Sequence, residues 1–180
     1  MSTRKPSTPE RRGALIRAAR RLTAEAGPEA GALLDPDLAG ELAASLAEDI
    51  GAAIEQRTAG AETLDDLVAG LVDGVLVASV PWADGLQLAN VAVERVADFD
   101  HWTGLLAPWL DAVERAIAAG QERGLVRVDV EPRATALVLR DALDRAAKVQ
   151  IRFQRDGYRD ATVALVRGAL APPGHEQVTE

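Results

Sequence analysis

The 180-residue sequence contains no cysteine. That excludes a disulfide framework, an iron–sulfur cluster and a thiol nucleophile, and it agrees with a reducing compartment. Aromatic residues make up 3% of the chain, with three tryptophans, two phenylalanines and one tyrosine, so the position of each tryptophan is informative. Long apolar runs are missing too. The longest uncharged stretch, Gly74 to Ala83, falls well short of the roughly 20 residues that a membrane-spanning helix needs. Met1 to Glu10 is polar and lacks the apolar centre of a signal peptide. The expectation is a cytoplasmic protein with no membrane partner.

What the chain does have is alanine, leucine and valine. The hydrophobic fraction is 48%, and abundant Ala and Leu without β-branched clusters favours helices over strands. The net charge of −8 is unevenly spread. Residues 1–21 hold seven basic groups against one acid, a net of +6, and the remainder holds 13 against 27, a net of −14. A basic arm on an acidic body suits a polyanion at one end, with Arg4, Lys5, Arg11 and Arg12 as candidate phosphate contacts. The plainer alternative is a solvated first helix with a basic tail.

Apolar spacing and helix-end residues predict about seven helices in an antiparallel, all-α bundle. Thr8-Pro9-Glu10 opens the first, with Leu15, Ile16, Ala19, Leu22 and Ala26 inward, and Gly27-Pro28 closes it. Asp35-Pro36 opens the second, striped by Leu38, Leu42, Leu46, Ile50 and Ile54 at intervals of four. Such a stripe drifts around the helix and needs more than one neighbour. Thr63 caps a third, largely buried helix stopped by Pro81, and a fourth covers about Ala83 to Ala97. A long fifth helix, capped by Asp100, runs from His101 to about Arg123, kinked or split at Pro108. Gly124 ends it, and Leu125 to Val130 forms an extended connector rather than a strand. Glu131-Pro132 opens a sixth helix of about two dozen residues, Asp156-Gly157 breaks it, and a last helix covers about Asp160 to Leu170.

Catalytic sets are hard to find. Asp98, Asp100 and His101 form a small acid–histidine cluster, but the other histidine, His175, lies in the tail, and a metal needs three or four ligands. There is no glycine-rich phosphate loop and no Gly-x-Ser-x-Gly elbow. Neither an enzyme nor a cofactor is expected.

Two segments resemble a known family. Arg12 to Gly27, RGALIRAARRLTAEAG, resembles the first helix of TetR/AcrR-type transcriptional regulators, through Ile16, Ala18, Ala19, Leu22 and Gly27. Glu114 to Leu143, ERAIAAGQERGLVRVDVEPRATALVLRDAL, is similar to the passage into their last long helix: Gly-Gln-x-x-Gly, a Val-Arg connector, then an acidic residue and proline. The closing LVRGAL, residues 165–170, is similar to their final turn. The departure lies between. Family members follow the first helix with a helix-turn-helix bearing an aromatic recognition helix, whereas here Gly27 leads through Pro28, Glu29 and Ala30 straight towards the leucine-striped helix. No tyrosine precedes Tyr158 and no phenylalanine precedes Phe99. The expected division is residues 1–31 as a remnant of a DNA-binding domain, 32–174 as an effector-binding and dimerisation domain, and 175–180 as a tail.

The resemblance implies an effector cavity in the central third and a homodimer through the last two helices. Trp82, Gln87, Asn90, His101, Trp102 and Trp109 are candidates to line the cavity for a small apolar or amphipathic ligand, and plain core is the alternative for Trp102 and Trp109. Ala134, Leu137, Arg140, Asp141, Asp144, Arg145, Lys148, Val163 and Leu170 are the candidate dimer contacts. Two functions remain open. One is a transcriptional regulator whose effector changes DNA affinity. The other is a ligand-binding or dimerising module that cannot read bases, lacking a helix for the major groove, and forms mixed dimers with an intact relative.

Overall fold

The computed structural model describes residues 9–26, 36–83, 99–153 and 157–173. Among them lie seven α-helices: α1 (Pro9–Ala26), α2 (Pro36–Thr58), α3 (Leu64–Ser79), α4 (Phe99–Leu105), α5 (Ala107–Glu122), α6 (Pro132–Phe153) and α7 (Tyr158–Leu170). A short 3-10 turn, Val80–Trp82, follows α3. There is no strand among the described residues, and the all-α bundle expected from composition and spacing is the observed fold.

The leucine stripe organises it. Leu42, Leu46, Ile50 and Ile54 are buried and Leu38 is partly so. As the drift of a four-residue spacing requires, α2 serves several partners: its main contacts are with α3 and α5, and α1 lies across it more lightly. The crossing with α5 is a backbone approach. A Cβ added at Gly51 would sit 2.5 Å from the carbonyl oxygen of Pro108, so a larger residue there would push two helices apart. α3 is the most apolar element, with Leu67, Val68, Leu71, Val72 and Val75 all at 0% exposure. It starts on a capping box: the Asp66 amide donates to Thr63 Oγ1 at 3.1 Å, and the Thr63 amide donates to Asp66 Oδ2 at 3.1 Å.

Pro108 decides between a kink and a split. The long fifth helix expected from His101 to Arg123 is two helices, α4 and α5, parted at Leu106, whose φ and ψ are −94° and 0°. A proline near a helix start has no amide to lose there, while inside a helix it would break a bond. Asp100, expected as a cap, lies in the first turn of α4. Pro81 ends α3 as expected, and the last helix begins at Tyr158, two positions before the expected Asp160. The fourth expected helix falls almost wholly on residues 84–98, outside the described residues, as do Thr8 and Asp35.

The segment between α5 and α6 is irregular, as its short isolated alternation suggested, and one side chain fixes its path. Gln121 Nε2 donates to the carbonyls of Arg127 and Val130, each at 2.9 Å. The Arg127 amide donates to the Leu170 carbonyl at the end of α7, at 3.0 Å. Glu131 then accepts from the amides of Arg133 and Ala134 to open α6, and these bonds hold its carboxyl below the usual range. Ion pairs tie the outer helices inward: Arg159 grips Asp73 at 2.7 and 2.9 Å, and Arg133 meets Asp111 and Glu114 at 2.6 and 3.1 Å.

Candidate functional site

Trp82, at the end of the 3-10 turn, is 1% exposed. Its indole Nε1 donates to Asp49 Oδ2 at 2.8 Å. The other oxygen of Asp49 pairs with Nη2 of Arg12. One carboxylate on α2 therefore joins the basic first helix to a core tryptophan that follows α3. Burial is the largest influence on Asp49 and raises its pKa, while the Trp82 bond and the Arg12 charge act against it. The neighbouring Arg11 pairs with Glu41, also on α2. Both described members of the expected phosphate-contact set thus face acids of their own chain, and Arg4 and Lys5 lie outside the described residues.

A second tryptophan is placed differently. Trp109, on α5, is 3% exposed, and its Nε1 is buried with no hydrogen-bond partner. The guanidinium of Arg140 lies over its ring, 5.6 Å from the centroid. Arg140 projects from the inward stripe of α6, where Ala136, Leu139, Leu143 and Ala147 are also buried. It is the one buried residue with a formal charge among those described, and its Nη1 donates to Asp141 Oδ1 at 2.6 Å. Trp82 and Trp109 belong to the same apolar core. Of the other expected cavity residues, His101 and Trp102 stand on α4, and Gln87 and Asn90 lie outside the described residues.

The expected dimer contacts divide by direction. Ala134, Asp141 and Arg145 are exposed on α6, with Leu137, Asp144 and Lys148 partly so, and Val163 is partly exposed on α7. Lys148 pairs with Asp144 one turn away at 2.5 Å. Arg140 and Leu170 instead point into their own bundle, with Leu170 at 0% exposure, and cannot form part of an outward face: their stripes turn inward at those positions. Two large apolar residues of the same helices also face out, Val138 at 72% and Leu165 at 55% exposure. Val138 is four residues from Ala134 and seven from Arg145, a helical spacing that could have placed it with them. Asp49 had a similar signal: it lies seven residues after Leu42, an acid in an apolar register.

An open groove of about 560 Å³ at the tip of the α2–α3 hairpin includes Gln56, Arg57, Gly60, Asp66 and Asp73 in its lining. Its acids are already engaged, Asp66 in the helix cap and Asp73 with Arg159, and none of the expected site residues borders it. No group of three or more metal-ligating residues occurs among the described residues. No described helix is long and apolar enough to cross a membrane.

The arrangement has known counterparts in structure. A bacterial regulatory protein in the TetR family from Rhodococcus RHA1 superposes with a TM-score of 0.58, over 91% of this chain and 96% of that one, at 16% identity. The chain has the TetR-type fold. The ketosteroid transcriptional regulator KstR2 of Mycobacterium tuberculosis matches equally well, with a TM-score of 0.58 over 92% of this chain and 97% of its own, at 17% identity. No protein-family model and no curated protein matches the chain. The TetR-type fold agrees with the resemblance of the quoted segments.

Proposed function

We propose that this chain is a cytoplasmic, effector-responsive regulator of the TetR type. Its helical body takes up a small amphipathic molecule and pairs with a second copy through α6 and α7. The observation that carries this reading is the Arg12–Asp49–Trp82 chain. A ligand that displaces Trp82 changes the hydrogen bonding of Asp49, and with it the hold on Arg12 and the first helix. A ligand shifts an equilibrium only by its differential affinity for two states, and two arrangements of Asp49 supply such states. The pairing face would combine Ala134, Val138, Asp141 and Arg145 of α6 with Val163 and Leu165 of α7. Across a twofold axis each Asp141 can meet the Arg145 of the other copy.

The second reading is a module that has lost base readout and acts by pairing with an intact relative. It is favoured by the nine residues, 27–35, that separate α1 from α2. At 1.5 Å per residue a helix of that length would span only about 14 Å, and two helices with their turns do not fit. Gel shifts against the DNA upstream of the chain's own gene, at two salt concentrations, separate the readings. Binding that resists competitor DNA supports direct regulation. Binding to any sequence that fades with moderate salt is phosphate attraction alone and favours the second reading. Light scattering tests the pairing: Val138→Asp is expected to convert a dimer to a monomer, and a monomeric unmodified chain would sink the pairing with a second copy.

A further inference from the structure

The arginines of α1 divide between two sides of the helix. Leu15 and Ala19 are buried against the bundle, and Arg11 and Arg12 are answered by Glu41 and Asp49 of α2. Arg17, Arg20 and Arg21 are exposed. At 3.6 residues per turn, Arg17 stands opposite Leu15 and Ala19, with Arg20 and Arg21 one turn further on. Arg17 and Arg21 make no hydrogen bond or ion pair among the described residues. The guanidinium of Arg17 lies back along the helix, so that a Cβ at Gly13 would stand 3.2 Å from its Nη1. Ala14 and Ala24 are exposed on the same side, and no large apolar side chain of α1 is exposed. The acids of the helix, Glu10 and Glu25, stand near its two ends. Beyond residue 21 the chain carries a net charge of −14.

We propose that the outward face of α1 is a docking surface for the phosphate backbone of duplex DNA, held through Arg17 and Arg21 without regard to sequence. A duplex carries a negative charge about every 1.7 Å of its axis. Arginines one helical turn apart, with about 5–6 Å between their Cβ atoms, therefore meet phosphates in any register. The acidic remainder of the chain repels the same rod and confines the contact to this one face. Gly13, Ala14 and Ala24 put no bulk between the helix and a backbone lying along it. An anionic membrane is the poorer match, because a helix that lies in a bilayer surface buries Trp, Phe or Leu there, and this face has none. The contact needs no effector, no pairing and no base-reading helix, so it stands apart from both readings above. It also differs from the contacts expected at Arg11 and Arg12, whose charges are turned to acids of α2.

The test is the fluorescence anisotropy of a labelled duplex of scrambled sequence, titrated with the full chain between about 50 and 200 mM salt. Arg17→Gln combined with Arg21→Gln is expected to weaken binding about tenfold or more at the lower salt. It should also flatten the slope of log affinity against log salt by about 2, one counterion for each lost contact. Arg17→Lys combined with Arg21→Lys keeps both charges and is expected to leave that slope in place. These positions are exposed, so each variant is expected to keep the helical circular dichroism of the unmodified chain. No binding by the unmodified chain, or a slope that the double Gln variant leaves unchanged, would overturn the surface. A loss as large for Arg11→Gln as for Arg17→Gln would overturn it too, since the attraction would then be diffuse. Tighter binding to vesicles of phosphatidylserine and phosphatidylcholine than to the duplex would overturn it in favour of a membrane. None of these outcomes bears on the pairing through α6 and α7, which light scattering reads separately.

Discussion

The joint between α2 and α5 and the joint between α1 and α2 are built from different materials. At the first, Gly51 lets two backbones approach until no side chain fits between them, and Ile50, Ile54, Leu110 and Ile117 are buried in the surrounding core. At the second, Leu15 and Ala19 are buried on α1, Ile16, Leu22 and Ala26 pack partly buried against the core, and Arg11 and Arg12 add ion pairs with Glu41 and Asp49. Close-packed interiors deform little, whereas a joint made of few apolar contacts and partly exposed charges opens at low cost. The difference marks the α2–α3–α5 layer as the frame and α1 as the more lightly held element.

Breaking the frame should cost the most. Ile54→Ala empties a fully buried position at the α2–α3 contact and is expected to lower stability by about 2–5 kcal/mol, read from urea unfolding with an unchanged slope. Asp49→Ala comes next. It strands the buried Trp82 N–H as well as Arg12, at about 1–3 kcal/mol. It should also raise proteolytic cleavage within α1 while α3 and α5 stay protected; equal protection of α1 would remove the distinction between the joints. Thr63→Ala loses the cap of α3, expected at about 1 kcal/mol by thermal unfolding. Arg11→Gln, at an exposed pair, should change stability by no more than about 0.5 kcal/mol. A larger loss would mean that charge alone docks α1.

Protonation sharpens the same contrast. Asp66 is held below its ordinary value by Thr63, so its contribution to the start of α3 is present above the unfolded value and is lost as pH falls through the lowered one. Asp49 has the opposite sign. Its folded value is raised, chiefly by burial, so between 3.8 and that value the native state takes up the proton first and falling pH favours folding through this group. Asp49→Asn keeps an acceptor for Trp82 and removes the charge. Relative to the unmodified chain it should therefore gain more melting temperature at pH 7 than at pH 4. The reverse order would show that the Arg12 pair outweighs burial.

Much of this frame was legible in the sequence. The stripe from Leu38 to Ile54, the Thr63 cap, the stop at Pro81 and the irregular connector before Glu131-Pro132 follow from local rules, because each is decided by residues within a few positions of one another. The site was less legible. Asp49 meets Trp82 across 33 positions of sequence, and Arg140 meets Trp109 from another helix. Periodicity assigns a residue to a face but does not name what stands opposite. It did carry a usable warning, since Asp49 and Arg140 are charges in apolar registers. Reading Arg140 as an outward contact followed its charge and overlooked Ala136 and Leu143, which share its face.

The clasp made by Gln121 has a practical consequence. Val128 sits between the two carbonyls held by that amide, next to an amide tied to the end of α7, and is 80% exposed. It is a fixed point on the outside of the molecule in a chain with no native thiol. A cysteine placed there would accept a single spin label on a backbone that does not wander, and the separation of two such labels in a paired assembly would be a ruler for how far its halves swing when a ligand is added.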